Sequence, residues 1–185
     1  MADSSSGYIH VTPLRSKNQW SLMVLELLGF AGLLGYSELS FRCDSEPTLL
    51  QLQRYVLNAR LSMGLPTLKA APPPYSHSNG LVENVVGRIK PLAGTLMRYM
   101  SEQVGIDFSS NSPWWSWALR HASWLCNRFG PSKVMSPYEV INGKEFTGKV
   151  CRFGEPVFGF SKVEGKGTSR WSRMIFLGKS KPHDT

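Results

Sequence analysis

The stretch SELSFRCDSEPTLLQLQRYVLNARLSMG (37–64) determines the fold class that we predict for this chain of 185 residues. Residues 37–43 alternate apolar and polar side chains, which predicts a short strand that ends at Asp44. Residues 48–63 carry apolar side chains at helical spacing, and Gly64 is typical of the position that follows a helix. A strand joined by a short turn to a helix is a basic unit of α/β folds.

Strands and helices alternate on both sides of this stretch. We predict further strands at 8–14, 67–70, 157–160 and 173–177. We predict further helices at 19–34, 80–104 and 114–129, and a short helix that opens at 136–139 with Ser136 as its N-cap and Pro137 at its first position. The order of these elements indicates an α/β fold with a mostly buried sheet.

The charge of the chain is strongly basic. It carries 21 Lys and Arg against 13 Asp and Glu, a formal net charge of +8. This excess indicates a polyanionic partner, nucleic acid before an acidic membrane surface. Seven basic and three acidic side chains fall in residues 151–185, and the composition changes near Gly148. We therefore predict two domains, at 1–148 and 149–185.

Neither a membrane span nor a secretory signal is predicted. No apolar run approaches the ~20 residues of a transmembrane helix, and the N-terminus lacks a basic segment followed by an apolar one. The three cysteines, Cys43, Cys126 and Cys151, form no CxxC pair and no zinc-binding spacing. We predict that they are reduced and mostly buried, in an intracellular protein that is not secreted.

Asp44 and Glu83 are the candidate catalytic residues. Asp44 follows a predicted strand, and ligand sites of open α/β sheets lie at such strand ends. Glu83 lies in the first turn of a predicted helix, where the helix dipole favours an ionised carboxylate. Mg²⁺ prefers one or two carboxylates together with phosphate oxygens, so this pair predicts half of a metal site. The alternative is structural for both: a turn or cap residue for Asp44 and a dipole contact for Glu83.

The residues around these carboxylates carry a family resemblance. RCDSEPTLLQL (42–52) and PPYSHSNGLVENVVGRIK (73–90) together resemble the catalytic core of retroviral and retrotransposon integrases. Asp44 stands where that family has its second acidic residue. Five residues match the family's glutamate motif position for position: Pro74, Tyr75, Asn79, Gly80 and Glu83.

The rest of the chain extends the resemblance. DSSSGYIHVTPLRSKNQ (3–19) is similar to the strand and turn that follow the first catalytic strand of the family. Three later segments resemble the end of the core in copia-type elements and the β unit after it: SPYEVINGKEF (136–146), CRFGEPVFGF (151–160) and RMIFLGKS (173–180).

The resemblance implies an RNase H-like core followed by a small partial β unit, and a role in DNA integration. The implied reaction is metal-dependent polynucleotidyl transfer, the strand transfer of DNA 3′ ends, with Asp44 and Glu83 as catalytic residues and ligands of Mg²⁺ or Mn²⁺. It also implies DNA as partner, assembly into a homo-oligomer and action in the nucleus. Asn79 would contact the DNA end and Lys90 a phosphate. The alternative for Lys90 is a solvated surface lysine.

The chain departs from the family pattern at the first catalytic aspartate. The family carries that residue on a central strand that precedes the segment matched by SGYIHV (6–11), and Asp3 corresponds to a turn-side position instead. We therefore expect an RNase H-like core without its first strand, in an inactive fragment of an element-encoded polyprotein. The alternative is a non-catalytic nucleic-acid-binding remnant of a transposable element.

The remaining nucleic-acid-binding candidates are His77, Lys166, Arg170 and Arg173. His77 lies in the loop before Glu83, and its alternative is a solvent-facing histidine. The three basic residues belong to the basic C-terminal segment, which would hold phosphates without sequence preference. The alternative for that segment is a surface that only aids solubility. The aromatic residues of 114–129 are predicted to lie in the core or in a subunit interface rather than to stack on bases.

Overall fold

The computed structural model describes residues 1–14, 16, 19–36, 38–44, 46–65, 69–70, 80–109, 111–130, 134–160 and 170–179. Over these residues the fold is mixed α/β. The helices are α1 (Trp20–Leu34), α2 (Pro47–Ser62), α3 (Gly80–Val104), α4 (Trp114–Phe129) and α5 (Pro137–Asn142). The strands are β1 (Ser40–Phe41), β2 (Lys69–Ala70), β3 (Pro156–Phe160) and β4 (Trp171–Ile175).

The chain divides into two compact units, Met1–Val86 and Gly87–Thr185. The boundary predicted near Gly148 lies inside the second unit. There the ring of Phe153 stacks on the ring of His121 in α4, with 5.8 Å between the ring centroids. Segments on both sides of residue 148 therefore share one core.

In the first unit, α1 packs against α2 and β1. Leu27, Leu52 and Val56 are buried at the centre of this contact. Gly35 follows α1 with a φ of 67°, a left-handed conformation that glycine adopts without a steric penalty. β1 pairs in parallel with β2, and α2 makes the connection between them. The unit therefore contains a short βαβ element.

In the second unit, α3 presents an apolar stripe. Ile89, Ala93 and Met97 recur every four residues and are all buried, which is the spacing of one helix face. Trp115 of α4 lies over Gly94 of α3, since its ring reaches to 3.8 Å from the position that a Cβ would take there. This contact brings the first turn of α4 to the middle of α3.

A capping box begins α5. The hydroxyl of Ser136 accepts a hydrogen bond from the amide of Glu139 at 3.2 Å, and the Glu139 carboxylate accepts one from the amide of Ser136. Pro137 occupies the first helical position, where its missing N–H is no loss. The N-cap predicted at Ser136 is confirmed.

Replacement of Ser136 by alanine should lower the free energy of unfolding by about 1 kcal/mol, because the amide of Glu139 loses its acceptor. Ser116→Ala is the matched control, since Ser116 is exposed on α4 and Pro113 occupies the N-cap of that helix. Urea unfolding followed by far-UV circular dichroism gives both values. Equal losses in the two variants would contradict the cap.

The strands differ from the prediction in burial. Every residue of β4 is exposed, and exposed and half-buried residues alternate along β3. The prediction of a mostly buried sheet is therefore wrong for this hairpin. A two-stranded ladder covers neither of its faces by itself, and alternation alone does not report which face meets a core.

The strand predicted at 8–14 is also wrong. Among residues 8–14, only Ile9 forms a β-bridge with another described residue, an antiparallel bridge with Ala2. A tight turn makes this pairing: Gly7 has a φ of 72°, and the amide of Gly7 donates to the carbonyl of Asp3 at 3.0 Å. The pairing is local and stops after one bridge.

The helices at 19–34, 48–63, 80–104 and 114–129 are confirmed to within a residue at each end. The three cysteines are free thiols, as predicted. Their burial was predicted less well, because Cys126 is buried, Cys43 is half-buried and Cys151 is exposed.

Candidate functional site

Asp44 lies just beyond β1, in the turn that leads into α2. Its position is fixed from both sides: Gln53 of α2 donates a hydrogen bond to the carbonyl of Phe41 at 2.9 Å, and α2 begins at Pro47 after the N-cap residue Glu46. Asp44 is exposed. The βαβ element thus presents this carboxylate to solvent at the carboxyl end of a parallel strand.

Glu46 serves the start of α2 through its backbone. Its carbonyl accepts hydrogen bonds from the amides of Leu49 and Leu50 at 2.9 and 3.1 Å. Its side chain makes no capping hydrogen bond.

Cys43, beside Asp44, keeps its proton. Burial raises the pKa of the Cys43 thiol, and the charge of Asp44 raises it further. Asp44 contributes carboxylate oxygens at this strand end. Such oxygens suit hard cations such as Mg²⁺ and Mn²⁺ rather than soft ones.

Glu83 lies in the first turn of α3 and is exposed. Its carboxylate therefore sits where the helix dipole favours negative charge. Lys90 is also exposed on α3, seven residues later and so on the same helix face. Both candidates on this helix, Glu83 and Lys90, are therefore accessible to a ligand.

Three candidates, His77, Asn79 and Lys166, lie outside the described residues. Arg170 and Arg173 are exposed. Arg173 belongs to β4, where it pairs with Phe158 of β3. The structure thus places two of the basic candidates on or beside one hairpin.

Asp3 has a structural role. Its carboxylate accepts hydrogen bonds from the amide of Ser6 at 2.8 Å and from the hydroxyl of Tyr36 at 3.1 Å. Burial by itself would raise the pKa of Asp3, but the hydrogen bonds from Ser6, Ser5 and Tyr36 outweigh it, so that the pKa is lowered. Asp3 is thus held by hydrogen bonds within the N-terminal segment and from Tyr36.

Over the part of the chain that the structure describes, no group of three or more His, Cys, Asp and Glu side chains is arranged to hold a metal ion.

The aromatic residues of α4 divide between core and surface. Trp124 is buried, whereas Trp117 and Phe129 are exposed. Arg128 is buried too, with its guanidinium 4.2 Å from the centroid of the Trp124 ring and 4.5 Å from that of Tyr138. The predicted core position is therefore confirmed for Trp124 but not for Trp117 and Phe129.

Sequence reasoning missed two groups of residues. One is His121, which is buried among aromatic rings. The other is a row of exposed aromatic side chains on the hairpin, Phe158, Phe160 and Trp171. The signal for the second group was present, because aromatic residues occupy alternate positions of PVFGF, but alternation does not tell a covered face from an open one.

Comparison of the chain with protein-family models, with curated proteins and with solved structures found no match. Among the described residues, no helix is both long and apolar enough to cross a membrane.

Proposed function

We propose that this chain is an integrase-like protein of a copia-type retrotransposon, with an RNase H-like core that acts in DNA integration. Asp44 and Glu83 are its catalytic carboxylates, and they bind Mg²⁺ or Mn²⁺. The observation that carries the proposal is the place of Asp44 at the carboxyl end of β1, directly before the crossover helix of a parallel βαβ element.

The order of elements supports this assignment. Ligands of open α/β sheets bind outside the carboxyl ends of the strands, and Asp44 lies at such an end. After β2 the chain proceeds to α3, whose first turn carries Glu83. The order strand, aspartate, helix, strand, helix with glutamate is the order that the resemblance to integrases requires.

The two residues fit a hard divalent cation. Both are exposed carboxylates, and carboxylate oxygens are ligands that Mg²⁺ and Mn²⁺ prefer. A bound pair of such cations supplies Lewis-acid stabilisation of the attacking and leaving oxygens in phosphoryl transfer. Asp44 and Glu83 would hold the cations and would thereby help to position a DNA phosphate.

Other residues would bind the substrate. Asn79 is proposed to contact the DNA end, and Lys90, on the Glu83 face of α3, a phosphate. Arg170, Arg173 and Lys166 would hold further phosphates without sequence preference. The proposal places the action in the nucleus and in a homo-oligomer.

The test is strand transfer of a labelled DNA duplex in Mg²⁺ or Mn²⁺. Glu83→Gln and Asp44→Asn should each lower the metal-dependent rate by roughly 100-fold or more, because loss of a group that only orients a metal ligand already costs about 10- to 100-fold. Glu102→Gln is the matched control. Glu102 is an exposed glutamate on the same helix, where it pairs with Arg98, and its removal should leave the rate unchanged.

Equal metal-dependent rates in all variants would overturn the assignment of Asp44 and Glu83 as catalytic residues. A second result, no metal-dependent transfer by any of them, is the one expected of a site that lacks the first catalytic aspartate of the family. The second result, together with salt-sensitive DNA binding, would favour the other candidate function, a non-catalytic nucleic-acid-binding remnant of a transposable element. The net charge of +8 supports that candidate. Binding would then weaken with salt according to the number of phosphates contacted.

A further inference from the structure

One face of the β3–β4 hairpin carries three aromatic rings and an arginine. Residues that face each other in an antiparallel ladder point to the same side. Phe158 faces Arg173, and Phe160 faces Trp171. We call this surface the aromatic face; its residues are Pro156, Phe158, Phe160, Trp171, Arg173 and Ile175.

The rings of the aromatic face extend into solvent. Phe158 is 74% exposed, Trp171 60% and Phe160 57%. Phe160 and Trp171 meet edge to face, with 5.7 Å between centroids and 75° between planes. In such a contact, one of the two rings keeps both of its flat faces uncovered by the other. The aromatic face therefore exposes ring surface, most of all at Phe158, on which a base could stack.

The opposite face of the hairpin is different. Its facing pairs are Val157 with Met174 and Gly159 with Ser172, and none of these residues is aromatic. The side chain of Met174 lies over Gly159 and takes the space that a Cβ would need. All the aromatic side chains of the two strands are thus gathered on one side.

The charge around the aromatic face suits a polyanion. Residues 156–160 and 170–175 contain Arg170 and Arg173 and no Asp or Glu. Arg173 lies between Trp171 and Ile175 on the same face, so a phosphate bound by its guanidinium would lie next to the rings. The combination of exposed rings and arginines complements an acidic partner surface rather than a neutral apolar one.

We propose that the aromatic face binds an unpaired strand of nucleic acid, with bases stacked on Phe158, Phe160 and Trp171 and a phosphate on Arg173. The proposal involves neither Asp44 nor Glu83, and it rests on the proposed function only in taking a nucleic acid as the partner. It specifies that this partner is a single strand. It also adds the rings of the aromatic face as a binding surface.

The spacing of the rings favours an unpaired strand over a duplex. Phe158 and Phe160 are two residues apart on a strand, about 7 Å. That is about twice the 3.4 Å between neighbouring nucleotides of a stacked strand. The rings thus suit bases that are separated from their neighbours, as in single strands. A duplex keeps its bases stacked inside and would offer this face only its phosphates.

The test uses the full chain and a fluorescein-labelled oligo(dT) of 15 nucleotides, with fluorescence anisotropy over a range of salt concentrations. Phe158→Ala should weaken binding by roughly tenfold, the loss expected for one stacked base, with an unchanged salt dependence. Arg173→Ala should instead make the plot of log K against log salt shallower by about 0.7, as for one lost phosphate contact on a single strand. Phe158→Tyr keeps a ring and should keep the affinity.

Matched controls separate this surface from others. Trp117→Ala removes an exposed tryptophan of α4, 40% exposed, and should leave oligo(dT) binding unchanged. Glu102→Gln, the control of the strand-transfer test, should also leave it unchanged. Because Phe158→Ala keeps Asp44 and Glu83 in place, failure of the catalytic proposal and failure of this one give different results. Circular dichroism of each variant reports whether it is folded.

Three results would overturn the proposal. One is wild-type affinity in Phe158→Ala, and another is binding of a 15-base-pair duplex as tightly as the single strand. The third is a wild-type dimer in sedimentation velocity that Phe158→Ala converts to a monomer without any change in oligo(dT) binding. That result would assign the aromatic face to contact between two copies of the chain.

Discussion

Acidification from pH 6.5 to pH 4 is expected to lower the free energy of unfolding by about 3 kcal/mol through His121 alone. The side chain is 2% exposed. Its ring stacks on Trp124 at 5.6 Å and on Phe153 at 5.8 Å, and it meets Phe176 edge-on at 5.7 Å between centroids. Burial in these surroundings lowers the pKa of His121 from 6.5 to about 4, because the charged imidazolium would lose its hydration.

The direction of the effect follows from proton uptake. As the pH falls below 6.5, His121 of the unfolded chain binds a proton, whereas His121 of the folded chain stays neutral until about pH 4. The unfolded state therefore binds more protons in this window, so the free energy of unfolding decreases as the pH decreases. Within the described residues Nδ1 of His121 has no hydrogen-bond partner, so a proton there would gain no acceptor. The expected loss is a large part of the 5–15 kcal/mol typical of a folded protein.

Urea unfolding at several pH values between 7 and 4.5, followed by tryptophan fluorescence, measures this loss. The control is His121→Phe, which keeps an aromatic ring and removes the titrating group. Carboxylates that titrate near pH 4 affect both proteins, so the difference between the two pH profiles isolates His121. Parallel profiles would show that this histidine does not cause the acid sensitivity.

The helices could be predicted from the sequence because their ends are signalled locally. Gly105 follows α3 with a φ of 67°, and Pro113 and Gly130 flank α4. Each signal acts within one or two residues of the helix end, so a linear reading of the chain finds it.

The surroundings of His121 could not be predicted, because they are made by distant parts of the chain. Phe153 precedes β3 and Phe176 follows β4, and neither has a local pattern that refers to α4. The same holds for the burial of the hairpin, which depends on what packs against each face rather than on alternation. Strand pairing that is local, such as Ala2 with Ile9, also escapes a prediction based on the strand-like pattern of 8–14.

The candidate catalytic site could likewise be predicted only in part. The position of Asp44 at a strand end follows from the strand, turn and helix pattern of 37–64, and the position of Glu83 in a first helical turn follows from the start of α3. Whether two such carboxylates approach each other depends on the chain between β2 and α3. No periodic pattern in that Pro-rich stretch specifies its path.

Phe153→Ala should be the most destabilising single substitution of those considered, with an expected loss of about 3–5 kcal/mol in the free energy of unfolding. Phe153 is one of the largest fully buried side chains, 2% exposed. The next residue, Gly154, has a φ of 84°, and its amide donates to the carbonyl of Phe176 at 2.8 Å. Removal of the ring leaves a cavity at the base of the hairpin, beside His121, that the surrounding rings can close only in part.

Phe158→Ala is the matched control, because it makes the same substitution on the same hairpin at a side chain that is 74% exposed. It should change the free energy of unfolding by no more than about 0.5 kcal/mol, since no cavity forms at an exposed position. Urea unfolding of both variants at pH 7 gives the comparison. Similar losses in the two variants would mean that Phe153 is not held in a core in solution. A large loss at Phe153 alone would mean that the base of the hairpin is anchored on α4 and that Phe158, on the same hairpin, takes no part in this core.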